Sequence, residues 1–430
     1  MQHADLVVGP ADVPGESDFS PRKLKVAVAI IAGTLFGSTV LPMMALGLLL
    51  LPMTGEFGWS RTSFSLGMSA MMLGGSLSAP VLGALVDRLG VRPIIIGGTV
   101  LVGLMTMAMS LQTGPLWQFL AGFALLGALG STAIGYAKVL GALFSKHRGK
   151  ALAIFGVESS LAGALAIPII QWLLVSHGWR GVFVGMGAVI LATVPLLLVW
   201  LQEPEAPAVA PGATPRDVPG DSLAEALRSR QFWLITLAGF LAIVPAIGLM
   251  PHMVPYMLAR GIEMNSALSM VALMSIAMAV GTLAGGWCLD RFDTAKVAAP
   301  FSVLSTLGLL GLLFLSGGSA GVAILAASTA LMGFAGGAKR PMATFFQLRF
   351  FGLRDFGGIT GVQSPFLALG MGIAPPLVGY CYDRLGRYEP ALLVMVGLMA
   401  VTIVLYLVLG PYRYGRDLTA LPAASNNPQR

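Results

Sequence analysis

The chain has 430 residues, of which 56% are hydrophobic and only 10% are charged, whereas about 25% of the residues of an ordinary soluble domain are charged. This composition excludes a soluble domain and indicates a membrane protein. The net charge of +7 would suit a nucleic-acid partner, but 18 of the 26 Lys and Arg residues fall in tails and loops on one predicted side. That bias follows the positive-inside rule, so we expect a lipid bilayer and no nucleic acid as partner.

Twelve apolar runs follow one another along the chain, each near the roughly 20 residues that a spanning helix needs. The first twenty residues contain four acidic residues and no Lys or Arg, unlike a cleaved signal peptide, so we expect the first run to remain. We number the runs as spans 1 to 12; they cover 24–51, 61–85, 93–112, 115–141, 151–175, 180–201, 231–258, 265–288, 297–316, 319–347, 358–382 and 389–411.

A segment rich in Pro and Ala divides these spans into two sets of six. It reads EPEAPAVAPGATPRDVPGDS from residue 203, a composition that suits a flexible linker rather than a core. We predict that both tails and this linker are cytoplasmic. The predicted units are a tail over 1–23, a bundle over 24–201, a linker over 202–230, a bundle over 231–412 and a tail over 413–430.

The loop after span 2 recurs after span 8. The first copy reads GALVDRLGVR, and the second, 203 residues later, reads GWCLDRFDTA. Internal repeats of this size are typical of transporters that rock two halves around a central site. The copies differ because Asp293 and Ala295 stand where the first copy has Gly90 and Arg92. We therefore expect any latch in the second loop to be weaker or different.

The first copy is similar to the loop motif of the major facilitator superfamily. Four further stretches resemble bacterial relatives of monocarboxylate transporters and of the oxalate/formate antiporter: EFGWSRTSFS (56–65), FSKHRGKALAIFG (144–156), HMVPYMLARG (252–261) and RFFGLRDFGGITG (349–361). The resemblance covers about 24–412. It implies an all-α membrane protein of two pseudo-symmetric six-helix bundles, which works as a monomer in the bacterial inner membrane and is not an enzyme.

The resemblance also implies that the repeated loops form a conformational latch. A short charged loop between two helix ends allows ion pairs that form in one state and break in the other, and Gly83 would allow close helix approach. The alternative is that the arginines only keep the loop cytoplasmic. The predicted latch residues are Gly83, Asp87, Arg88, Gly90, Arg92, Asp290 and Arg291.

Two ionisable residues lie at matching depths in spans 4 and 5. Lys138 and Glu158 each stand ten residues from Arg148 in the intervening loop, which places both about 15 Å into the bilayer core. A charge there costs about 2.5–3.5 kcal/mol and so indicates a function. We predict that Glu158 is a proton-coupling acid that releases Lys138 for substrate. A purely structural ion pair is the alternative.

Applying the sequence offset of the repeat to Lys138 leads to a position next to two adjacent cations in span 10. These cations lie within the sequence GGAKRP. Pro341 and the glycines before this pair predict a bend. Adjacent helical residues differ by about 100° in direction, so both cations cannot face one cavity squarely. We predict that Arg340 is the main carboxylate ligand, because its planar fork binds two oxygens. The further substrate-binding candidates are Lys138, Lys339, His252 and Tyr136.

The excess of cations inside the membrane favours an anionic cargo. We predict a secondary active transporter of small mono- or dicarboxylates, coupled to protons and working by alternating access. An anion/anion exchanger remains the alternative. A drug-efflux protein would need more acidic residues than Glu158, and a transporter-like receptor would usually add a soluble domain. No enzyme or ATP-binding motif and no metal-ligand spacing occurs, so we expect no cofactor and no metal.

Overall fold

The computed structural model describes residues 21–36, 39–130, 136, 139, 148–201, 220–313, 319–352 and 354–414. Within these ranges the side chains of 21–23, 87, 148–162 and 319–320 are not described. Lys138 therefore lies outside the described residues. Only the backbone is described for Asp87 and Glu158.

The described residues form helices that follow the predicted spans, which confirms the all-helical membrane fold. Ten segments are long and apolar enough to cross a membrane, and the described part of span 4 is a shorter apolar helix. The first half comprises Pro21–Leu35 and Val40–Phe57 (span 1), Arg61–Leu89 (span 2), Val91–Ala108 (span 3), Leu116–Gly130 (span 4), and Arg148–Ala192 with Val194–Trp200 (spans 5 and 6). The second half comprises Arg230–Gly248 and Met253–Ala259 (span 7), Met264–Arg291 (span 8), Ala298–Leu313 (span 9), Ser319–Phe351 (span 10), Phe356–Leu385 (span 11) and Glu389–Val408 (span 12).

Two glycines make turns that few other residues could adopt. Gly178 has φ 66° and ψ −175° and separates span 5 from span 6, while Gly90 has φ 89° and is the only residue between the helices of spans 2 and 3. Positive φ favours glycine because it has no Cβ. The loop after span 8 is longer and continues into a short 3₁₀ turn, Ala295–Val297. The residues on either side of Asp293 have negative φ, −108° at Phe292 and −151° at Thr294.

The two halves repeat the same helix packing. In the first half, Gly74 and Gly127 let spans 2 and 4 approach so closely that a Cβ on either would overlap the partner's backbone. Gly281 and Gly337 do the same for spans 8 and 10. Small residues at helix contacts are the usual device for close packing in membranes. Gly337 therefore packs span 10 against span 8, and the span 10 helix continues through Pro341.

The described residues define two ends of the bundle. At the end that we call the linker end, Asp221 accepts hydrogen bonds from Arg413 Nη1 at 3.0 Å and from the Tyr414 hydroxyl at 2.6 Å. A helix over Leu223–Arg228 follows, so the last part of the predicted linker is folded onto the second half. The opposite end, which we call the far end, carries the turns between spans 1 and 2, 5 and 6, and 11 and 12.

Candidate functional site

Span 10 directs its two adjacent cations to different surroundings. The Lys339 ammonium lies 3.8 Å from the Met399 sulfur of span 12, inside the second half. Arg340 is exposed, on the face of the helix that also carries Gly336. At Gly336 no other described residue comes within 4 Å of the position of a Cβ. Among the described residues, Arg340 is therefore exposed, whereas Lys339 is half-buried.

Tyr136 lies within the first half. Its side chain is 2% exposed, and its hydroxyl is 3.5 Å from Thr99 Oγ1 of span 3. Gly33 of span 1 leaves the space that the phenol fills, since a Cβ there would overlap the ring. This packing among spans 1, 3 and 4 places Tyr136 in the core of the half.

His252 lies at the junction of the two halves. Its imidazole is fully buried. Nε2 is 3.0 Å from the carbonyl oxygen of Pro375 in span 11 and 3.1 Å from Ser65 Oγ in span 2. Nδ1 is 3.5 Å from the hydroxyl of Tyr388, next to span 12. His252 thus connects spans 2, 7, 11 and 12 near the far end.

The far end is closed by a carboxylate at the end of span 11. Asp383 accepts hydrogen bonds from the backbone N–H groups of Arg61 at 3.1 Å and Thr62 at 2.9 Å, which begin the span 2 helix. Arg61 donates to the hydroxyl of Tyr388, and its guanidinium lies 3.6 Å from the centre of the Tyr382 ring. The sequence did not predict a role for these five residues, Arg61, Thr62, Tyr382, Asp383 and Tyr388. We call them the far-end clamp.

A sequence signal for the clamp exists at residues 379–388, which read GYCYDRLGRY. This segment repeats the glycine and the DRLG of the loop after span 2, and Gly386 has φ 67° as Gly90 has φ 89°. A Cβ on Gly379 would lie 2.8 Å from Thr62 N. A Cβ on Gly83, the matching residue at the linker end, would have no described residue of another helix within 4 Å.

The remaining predicted latch residues lie at the linker end. Arg88, Asp290 and Arg291 are exposed, and Arg92 Nη2 donates to the carbonyl of Leu198 at the end of span 6, at 2.6 Å. In the divergent second copy, Asp293 pairs with Arg349 of span 10, which is 4% exposed. The second loop is therefore tied to its own half.

A cavity of about 610 Å³ lies along the contact of spans 2 and 11. Apolar side chains such as Leu66, Met72, Leu369 and Leu377 form most of its walls. No charged side chain lines it, so it does not suit an anionic ligand. Within the described ranges, no group of three or more His, Cys, Asp or Glu residues could hold a metal ion.

A profile of the Major Facilitator Superfamily matches residues 27–325 and 269–427. The chain belongs to this superfamily. The predicted resemblance and fold are thereby confirmed, and the protein is a transporter rather than an enzyme.

The chain is similar to several named transporters and to a solved transporter structure. Human monocarboxylate transporter 11 is 31% identical over 74% of this chain and 68% of its own length. The gallate transporter of Pseudomonas putida is 26% identical over 74% of this chain and 80% of its own length. The inward-facing, occupied structure of a bacterial homologue of the human lysosomal transporter Spinster matches with a TM-score of 0.68 at 15% identity, over 91% of this chain and 97% of that one.

Proposed function

We propose that this chain transports small organic anions bearing a carboxylate by alternating access. The relatives named for monocarboxylates and gallate support a carboxylate cargo. The observation that carries the proposal is the placement of Arg340, an exposed cation, within a 33-residue apolar helix. Charged side chains within membrane spans face the bundle interior or a water-filled cavity, because contact with lipid is costly.

The packing of span 10 leaves one face for such a cavity. Gly333 and Gly337 lie against the backbone of span 8, and Lys339 points toward span 12. The third face carries Arg340 together with the exposed residues Ala343 and Thr344. A planar guanidinium there binds two carboxylate oxygens at once, with Lys138 from the other half as the second cation of the site.

The closed far end fits one state of a transport cycle. Between described residues, the hydrogen bonds that join the two bundles lie in the part of span 2 nearest the far end. They involve Arg61, Thr62, Ser65 and Ser69. If the tails and linker are cytoplasmic, as the charge bias indicates, this state opens to the cytoplasm of a bacterial cell. The loop after span 2 would then close the linker end in the opposite state.

Counterflow of labelled carboxylates into proteoliposomes tests the proposal. We expect exchange of mono- or dicarboxylates and no exchange of organic cations. Absence of exchange across a panel of carboxylates, with correctly folded protein, would reject a carboxylate cargo.

Binding to purified variants tests the site. Arg340→Lys keeps the positive charge but loses the planar guanidinium that binds two carboxylate oxygens. The affinity for the carboxylate should therefore fall by about one to two orders of magnitude, equivalent to roughly 1.5–3 kcal/mol. Lys339→Gln is the matched control and should change affinity less. Near-native affinity in Arg340→Lys with a collapse in Lys339→Gln would reverse the assignment.

We also propose that Glu158 couples transport to protons. A Glu158→Gln protein should still exchange substrate but should lose the acceleration that an imposed pH gradient gives the parent protein. Unchanged gradient-driven uptake would make Glu158 a structural residue.

A further inference from the structure

We propose that His252 is a proton-binding site that controls opening of the far end. The inference rests on the proposed transport cycle. It assigns His252 a role in gating rather than in holding the substrate, and its ligand is the proton. The argument comes from the hydrogen bonds around the imidazole and from the charges that face it.

The hydrogen bonds are satisfied by a neutral imidazole whose hydrogen on Nε2 is shared between the Pro375 carbonyl and Ser65 Oγ. The carbonyl of Pro375 can only accept, so Nε2 at 3.0 Å must carry a hydrogen. Nδ1 is then the acceptor for the hydroxyl of Tyr388 at 3.5 Å, and that hydroxyl in turn accepts from Arg61. Every donor in this chain meets an acceptor when the ring is neutral.

A second proton on the imidazole breaks this chain. Both ring nitrogens would then be donors, so Nδ1–H and Tyr388 O–H would point at each other unless the hydroxyl turned away. The hydroxyl would then have to accept from both Arg61 and His252. A buried imidazolium would also lie one hydroxyl away from the Arg61 guanidinium, a repulsion that little water screens.

Among the surrounding titratable groups, the Asp383 carboxylate opposes this repulsion from its place at the start of span 2. The charged groups that act on the imidazole are Arg61 from span 2 and Asp383 from span 11. Asp383 is already bonded to the start of span 2. The other nearby titratable groups are the phenols of Tyr388, Tyr256 on span 7 and Tyr382 on span 11. On the side of span 1, Gly47 lies close to the backbone of Met250.

The imidazole can take up its proton when the far end opens. Because Ser65 and Arg61 belong to the other half, separation of spans 2 and 11 removes the contact of His252 with Ser65, takes the Arg61 guanidinium away from Tyr388 and admits water. A solvated imidazole titrates near pH 6.5. Protons therefore favour the state with the far end open, and the closed state is favoured above that pH.

Distance measurements between spin labels test this without any substrate. Labels at Ser176→Cys and Glu263→Cys report the separation of the two halves at the far end, in a background carrying Cys288→Ser and Cys381→Ser. We call this the far-end pair. As the pH falls below about 6.5, the ratio of open to closed protein should rise by up to about tenfold per unit, the limit for one proton.

The variant His252→Gln can donate to Pro375 and accept from Tyr388 but cannot titrate, so its distances should not change with pH. A pH response of parental size in His252→Gln would overturn the proposal, as would a parent protein with no response. If the response is lost in Asp383→Asn and kept in His252→Gln, the switch is Asp383 and the proposal fails.

A second variant covers poor folding of His252→Gln. Tyr388→Phe keeps the ring but removes the donor that holds Nδ1 as an acceptor, so the pH response should move to higher pH. An unchanged midpoint would contradict the proposal. Because no cargo is present in these experiments, failure of carboxylate counterflow would reject the proposed function and leave this result interpretable.

Discussion

The two ends of the seam between spans 2 and 11 carry the same short motif in opposite situations. At the far end, the DRLG that closes span 11 meets the start of span 2, and Gly379 lies against the backbone of Arg61 and Thr62. At the linker end, the DRLG at the end of span 2 follows Gly83, where a Cβ would have no described residue of another helix within 4 Å. The motif alone therefore does not determine closure.

At the far end, the DRLG motif of span 11 contacts the first residues of the span 2 helix. A carboxylate at a helix N-terminus satisfies free backbone N–H groups and interacts favourably with the helix dipole. Asp383 does this for span 2 from the other half of the molecule. The glycine one turn earlier lets the two backbones approach closely enough for those bonds to form. At the far end, closure thus uses both the acid and the small residue.

The largest expected effect comes from filling the close approach at the far end. A Cβ on Gly379 would lie 2.8 Å from Thr62 N and 2.9 Å from the carbonyl carbon of Arg61, so Gly379→Val should oppose closure. Overpacking of this kind costs about 3 kcal/mol at the upper end of its usual range, which corresponds to roughly a 100-fold loss of the closed state. The far-end pair measures this ratio.

Gly83→Val is the matched control, because it places the same side chain in the same motif at the linker end, where no described residue of another helix lies within 4 Å of the new Cβ. We expect it to leave the far end as closed as in the parent protein. Equal loss of closure in both variants would mean that valine damages the helices themselves and that the packing at Gly379 is not the cause.

A smaller effect should follow from removing the charge that caps span 2. Asp383→Asn keeps the shape but loses the carboxylate, and a helix cap is worth about 1–2 kcal/mol. The ratio of closed to open far end should therefore fall by roughly 5- to 30-fold. Asp293→Asn is the control, since its partner Arg349 belongs to the same half. Asp293→Asn should lower thermal stability without changing the distance between the labels of the far-end pair. A change as large as that in Asp383→Asn would contradict the proposed difference between the two carboxylates.

The spans and their repeat were predictable because membrane helices need long apolar runs, and Gly178 turns the chain within the predicted gap between spans 5 and 6. The far-end clamp was not predicted. Arg61 and Asp383 are 322 residues apart. Both lie at span ends, where charges usually reflect topology. The DRLG that contains Asp383 repeats the one after span 2, but this repeat did not enter the prediction. Helical geometry correctly separated Lys339 from Arg340. Only the packing of span 12 shows that Lys339 is the one turned inward.

The smallest expected effect concerns a single neutral hydrogen bond across the seam. Ser69 of span 2 donates to the carbonyl of Gly372 in span 11, and a bond of this kind contributes about 1 kcal/mol. Ser69→Ala should therefore reduce the ratio of closed to open far end by roughly fivefold. Ser78→Ala is the control, because Ser78 lies on the same helix but donates to the carbonyl of Ala128 in span 4, at 2.9 Å, within one half. If both variants shift the far-end pair equally, the effect belongs to the span 2 helix, and the bond between the halves does not contribute to closure.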